Sequence, residues 1–226
     1  MIPIHDDNPT RRIPIVTISL IVICTLVFLW EITTHMPQER IIYGLGVTPG
    51  LLFGEPTYRG HYQLVPAWLT IFTSMFLHGG WLHLLGNMLY LWIFGNNVED
   101  RLGRMRYLIF YLLCGIAAVF ANALPQMNSM VPMIGASGAI AGILGAYFVL
   151  YPHARVLVII PVFFFIYSTW WPAWIVLALW FVLQLVSSLL SASEQGGIAW
   201  GAHIGGFLTG VVLIFLFTAR RTRRRR

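Results

Sequence analysis

Four polar residues, Ser137, His203, His83 and Asn87, lie in stretches that are otherwise apolar. A serine hydroxyl beside a histidine imidazole is the minimal set for nucleophilic acyl chemistry, because an unassisted hydroxyl is a weak nucleophile and needs a base. His83 and Asn87 are four residues apart, so on a helix they share one face and can both donate to a developing oxyanion. Ser137 sits in Gly135-Ala136-Ser137-Gly138, after Pro132 and at the start of an apolar run. The unpaired N–H groups and positive dipole end of a helix N-terminus suit an oxyanion too. Gly138, Gly142 and Gly145 follow the serine, and Gly206 and Gly210 follow His203. Both runs carry small-xxx-small spacing, which lets two helix backbones approach closely.

Each feature also has a plainer reading. Small-residue faces usually serve packing alone, a serine in a membrane helix often bonds its own backbone, and a lone buried histidine can be a satisfied core residue, a metal ligand or part of a proton relay. The soluble nucleophile elbow G-x-S-x-G is not matched, since Ala139 stands where its last glycine would be.

The elements that must position these residues follow from composition. Of 226 residues, 58% are hydrophobic and only 10% charged, with a mean hydropathy of +0.76. A soluble domain carries about 25% charged residues, so this chain has too little polar surface for water. A helix crosses lipid with roughly 20 apolar residues. The sequence predicts an all-α, polytopic bundle of six transmembrane helices in a single domain, at about 15–34, 78–98, 107–123, 134–151, 173–190 and 198–217. Tyr43, Tyr58, Tyr62 and Trp68 are interfacial aromatics of the long first loop. Residues 156–169, with Pro161 inside and Trp170-Trp171-Pro172 behind, are too short for a span and read as an interfacial or re-entrant element. No small-residue cleavage site follows Trp30, so the first run reads as a retained span.

The basic residues orient the bundle. All 14 are arginine, and six lie in the tail 220–226. Six spans with both termini cytoplasmic put Arg11, Arg12, Arg101, Arg104, Arg106, Arg155 and the tail inside, leaving only Arg40 and Arg59 outside. The tail reads as an anchor on anionic lipid and not as a nucleic-acid site. Cys24 and Cys114 form no disulfide framework and no zinc-ligand spacing. In this arrangement His83, Ser137 and His203 all fall within roughly 5 to 10 Å of the outer surface, at about 1.5 Å of rise per residue. Intramembrane polar groups are costly and are functional candidates by default, and Gln184 in the fifth span belongs with them.

With these residues in place, the whole chain resembles the rhomboid intramembrane serine proteases of the bacterial six-span type. The resemblance rests on Gly135-Ala136-Ser137-Gly138, on Ala202-His203-x-x-Gly206-x-x-x-Gly210, on His83-x-x-x-Asn87 with His78 five residues upstream, and on the charged turn Glu99-Asp100-Arg101-Leu102-Gly103. It implies a serine endopeptidase of the bacterial inner membrane that cuts client transmembrane helices near their outer ends. Ser137 would be the nucleophile, His203 the base, and His83 and Asn87 the oxyanion donors. Gly135, Gly138, His78, Gly206 and Gly210 would support them, with no metal and no other cofactor. Lateral entry of the client beside the fifth span is implied in the same way. Two positions depart from many members. Leu69-Thr70 stands where a Trp-Arg pair is common, with Trp68 one residue early. Ala141 stands where some members place a tyrosine ring beside the histidine, and the sequence names no substitute for it. The competing classes are a rhomboid-like protein that binds client helices without cutting them and a small transporter. Retention of Ser137, His203, His83 and Asn87 together argues against the first, and the lack of an inverted repeat argues against the second.

Overall fold

The computed structural model describes residues 1–54, 64–162, 164–190 and 199–222. Tyr58, Arg59, Tyr62, Ile198 and the arginines from Arg223 lie outside these residues, and for 220–222 only the backbone is described. The elements are β1 (Ile2–Asp6), α1 (Ile15–Thr33), α2 (Gln38–Leu45), α3 (Pro49–Phe53), α4 (Thr70–Thr73), α5 (Trp81–Tyr90), α6 (Asn96–Leu102), α7 (Arg104–Ala123), α8 (Ser137–Leu150), β2 (Arg155–Val162), β3 (Phe165–Pro172), α9 (Ala173–Leu190) and α10 (Trp200–Thr222). A π-helical stretch, Leu91–Gly95, joins α5 to α6.

Among the described residues, four helices, Ile15–Thr33, Arg104–Gln126, Ala173–Leu190 and Trp200–Ala219, are long and apolar enough to cross a bilayer. The central helix, α8, is shorter at 14 residues, and every residue from Gly138 to Tyr147 is buried. A helix apolar all round is one packed on all sides, and α7, α9 and α10 surround this one. Glycine makes the α8–α10 contact possible. A β-carbon on Gly206 would collide with the carbonyl oxygen of Gly138, and one on Gly210 with that of Gly142. The two small-residue faces therefore meet backbone to backbone, as their spacing suggests.

The all-α expectation needs a correction, because the bundle carries a three-stranded antiparallel sheet in the order β1-β2-β3. Residues 156–169, read from sequence as an interfacial or re-entrant element, fall in the β2–β3 hairpin, with Arg155 opposite Pro172 and Val162 opposite Phe165. β-Branched and aromatic residues dominate this stretch, and such side chains favour strands. Its second partner comes from the other end of the chain, where Ile2 faces Ile159 and Asp6 faces Val156. Pro161 lies past the end of that pairing and so blocks no bond to β1.

The second hydrophobic segment is also displaced from its expected start. The helix begins at Trp81, not near His78, because Gly79-Gly80 precede it in non-helical backbone.

Candidate active site

Ser137 is the first residue of α8 and half-buried. Its position is set by the turn before it. Gly135 adopts φ = 119°, a left-handed conformation that side chains disfavour, and its N–H donates to the Ser74 carbonyl at 2.8 Å. The loop leading into this turn is tied to the first loop by the Val47–Met133 bridge and by the Gly50 N–H donating to the Ser129 carbonyl.

His203 lies one turn into α10, on the face that meets α8. Its Nε2 stands 2.8 Å from Ser137 Oγ. On the other side of the ring, Nδ1 stands 2.7 Å from Oε1 of Gln184 in α9. Two indoles flank the same ring at centroid distances of 6.0 Å, Trp180 tilted by 35° and Trp200 edge-on at 90°. Sequence reasoning found Gln184 as an intramembrane polar residue but gave it no role. The signal that could have done so is its position one helical turn after Trp180, as the one carboxamide in a helix whose other hydrogen-bonding side chains are two tryptophans and two serines. Ala141, where a supporting ring is absent, is buried; Trp180 and Trp200 supply ring contacts from other helices.

His83 approaches from α5. A β-carbon built on Gly135 would lie 2.7 Å from His83 Nε2 and 3.6 Å from Ser137 Oγ, so the space this glycine leaves open is flanked by both groups. The Gly79 N–H donates to His83 Nδ1 at 3.3 Å. An Nδ1 that accepts leaves the proton of the neutral ring on Nε2, pointing a donor toward that space. His78 backs this ring at a centroid distance of 5.1 Å, edge-on. It sits ahead of the helix, fully buried, with Nδ1 bonded to the Phe76 carbonyl and its backbone N–H held by the Glu31 carboxylate. Asn87 is buried, and its Nδ2 amide has no protein partner among the described residues. A buried donor left unbonded is unusual and calls for an explanation. Of the sequence-derived set, Ser137, His203, His83 and Gly135 converge on one point. Gly138, Gly206 and Gly210 form the helix contact that holds them, and His78 backs His83. A cavity of about 390 Å³ is lined by Arg12, Glu99, Asp100 and Arg104 and by none of the dyad residues.

Comparison with known proteins bears on the same stretch. Residues 66–220 match the Rhomboid domain. The chain is 31% identical over 148 residues to "Rhomboid protein 1, mitochondrial" of Saccharomyces cerevisiae, covering 64% of this chain and 40% of that protein. It is 33% identical over 197 residues to "RHOMBOID-like protein 2" of Arabidopsis thaliana, covering 87% and 57%. It is also 43% identical over 79 residues to "Rhomboid protease GluP" of Bacillus subtilis, covering 35% and 15%. The matched stretches thus span about half or less of the length of most of these relatives.

Proposed function

The chain belongs to the rhomboid family and is an integral multi-pass membrane protein, and we propose that it is a serine endopeptidase cutting client transmembrane helices near their outer ends. The observation that carries this reading is the 2.8 Å contact between Ser137 Oγ and His203 Nε2. His203 takes the hydroxyl proton while Oγ attacks the peptide carbonyl carbon, and the carbonyl oxygen takes up negative charge. The Ser137 N–H, His83 Nε2–H and Asn87 Nδ2–H surround that oxygen. His203 then gives its proton to the leaving amine, and the acyl group stays on Ser137. Water attacks the acyl carbon, losing its proton to His203, which passes that proton to Ser137 Oγ as the acyl–oxygen bond breaks and the acid leaves.

The bundle crosses the membrane six times in this reading, α5 to α6 and α8 making the second and fourth passages, with both termini cytoplasmic in a bacterial inner membrane. A 14-residue helix rises about 21 Å against a hydrocarbon core of about 30 Å, so α8 leaves room above Ser137 for water to reach it. The β1–β3 sheet and the arginine-rich flanks lie on the cytoplasmic side. A client helix hides its scissile amide, so local unwinding precedes cleavage, and glycine or proline in the client eases it.

The test is cleavage of a generic transmembrane substrate in detergent or liposomes, wild type against Ser137→Ala, together with labelling by a fluorophosphonate. Cleavage and labelling should both vanish in Ser137→Ala, and labelling should vanish in His203→Ala. Equal cleavage by wild type and Ser137→Ala removes the assignment, and labelling that survives His203→Ala removes the dyad. Reporters fused after Arg226 and inserted at Gly54 should read cytoplasm and outer side; the opposite pattern removes the topology.

A further inference from the structure

We infer that Gln184 is a positioning residue that fixes which ring nitrogen of His203 faces the serine; the inference rests on the protease reading above. Gln184 Nε2 donates to the Trp180 carbonyl at 3.2 Å, and a carbonyl oxygen can only accept, so the NH₂ end of the amide must lie on that side. The Oε1 end therefore faces His203 Nδ1 at 2.7 Å. An amide oxygen only accepts as well, so Nδ1 must carry hydrogen. In a neutral imidazole this leaves Nε2 without one, and Nε2 is the nitrogen 2.8 Å from Ser137 Oγ. The chain of contacts from α9 thus presents a lone pair, not a proton, to the nucleophile.

Gln184 is buried at 7% exposure, and both amide ends are used, which makes the orientation hard to reverse. Flipping the amide would set an NH₂ against Nδ1 and an oxygen against a carbonyl. In a soluble serine protease the carboxylate partner of the catalytic histidine does this tautomer-fixing, and substituting its amide, which leaves the wrong tautomer, costs about 10⁴ in kcat. A neutral amide oxygen orients the ring without the charge that stabilises imidazolium, so the loss here is smaller.

Gln184→Met keeps nearly the same shape without the acceptor, and Gln184→Glu returns an acceptor oxygen. With a transmembrane substrate, Gln184→Met should lower kcat about ten-fold or more with KM within about two-fold, and Gln184→Glu should recover much of the loss. The direct readout is ¹⁵N NMR of histidine-labelled protein in detergent, the His203 signals being identified by their loss in His203→Ala. The wild type should show Nδ1 protonated and Nε2 unprotonated, Gln184→Met a shift toward the Nε2–H form, and Gln184→Glu a return. An unchanged tautomer in Gln184→Met overturns the inference, as does wild-type kcat in that variant. This measurement needs no substrate, so it decides the positioning role separately from proteolysis. If wild type and Ser137→Ala are equally inactive while the tautomers move as expected, the protease reading falls and the positioning of His203 stands.

Discussion

The phenolic hydroxyl of Tyr147 donates to the Asp6 carboxylate at 2.6 Å, tying the first strand of the sheet to the helix that begins at Ser137. Both groups are buried, and each is the other's answer to burial. The contact joins residues 141 positions apart, so the N-terminal segment is part of the scaffold under the serine helix.

Burial holds the Asp6 carboxyl above its ordinary value of 3.8, while the Tyr147 hydroxyl and His5 pull it back only in part. A carboxyl whose folded pKa is raised binds its proton more tightly in the native state. Its stabilising contribution is complete below 3.8 and is lost as pH rises through the folded value. The melting temperature of the wild type in detergent should fall over that range, and Asp6→Asn should flatten the fall. An identical slope in both proteins would remove Asp6 as its source. Tyr147→Phe, which strips the carboxylate of its donor, should cost about 1.5 to 3 kcal/mol at neutral pH, read as a lowered denaturation midpoint.

Glu99 makes a second prediction. Its carboxylate accepts from the N–H groups of Val16 and Thr17 at 3.0 and 2.8 Å and from the Thr17 hydroxyl at 2.8 Å. It therefore caps the first turn of α1, which begins after Pro14 and has no local side-chain cap. Glu99→Ala leaves these donors unbonded and should destabilise by on the order of 3 kcal/mol, with Glu99→Gln milder because one amide oxygen remains. Turnover per folded molecule should not change. Normal stability with lost turnover would assign Glu99 to the chemistry instead.

Glu99 also marks where sequence reading stops. The charged turn 99–103 is visible as a motif, but that its first residue caps a helix more than 80 positions earlier is a tertiary fact. The sheet was hidden for the same reason. The uncharged run 156–172 reads alike as strand or membrane segment, and only pairing with residues 2–6 decides. Gly79-Gly80 do signal the late start of the second helix, yet the surrounding hydropathy outweighs them. Ser137 and His203 were legible because polarity inside apolar runs and glycine spacing are properties of the sequence itself. Gln184 was legible as an oddity, whereas its partner depends on how α9 leans on α10.

Gly135 combines two constraints at one position. Its left-handed backbone costs a side-chain-bearing residue about 1 to 2 kcal/mol, and a β-carbon there would press on the His83 ring 2.7 Å away. Gly135→Ala should lower stability by about that amount and displace His83, cutting turnover by about ten-fold or more. Activity and melting point are to be measured on one preparation. Wild-type turnover in a stably folded Gly135→Ala protein would show that the His83 position is immaterial to the reaction.

Asn87 separates catalysis from packing on the same helix as His83. Its Nδ2 is buried without a protein partner among the described residues, which suits a donor whose acceptor arrives with the substrate. If that amide meets the oxyanion, it acts mainly in the transition state, so its loss lowers kcat more than it raises KM. Removing one such donor from a soluble serine hydrolase costs about 10² to 10³ in kcat, or roughly 3 to 4 kcal/mol. The loss here should be smaller, since His83 and the Ser137 N–H remain and water can reach the site. Asn87→Ala should keep the fold and the fluorophosphonate labelling of Ser137 while cutting turnover about ten-fold or more. Because the wild-type Nδ2 has no hydrogen-bond partner to lose among the described residues, its removal should leave the melting point near wild type or raise it. A lowered melting point with unchanged turnover of the folded protein would return Asn87 to a packing role and leave His83 and the Ser137 N–H as the oxyanion donors.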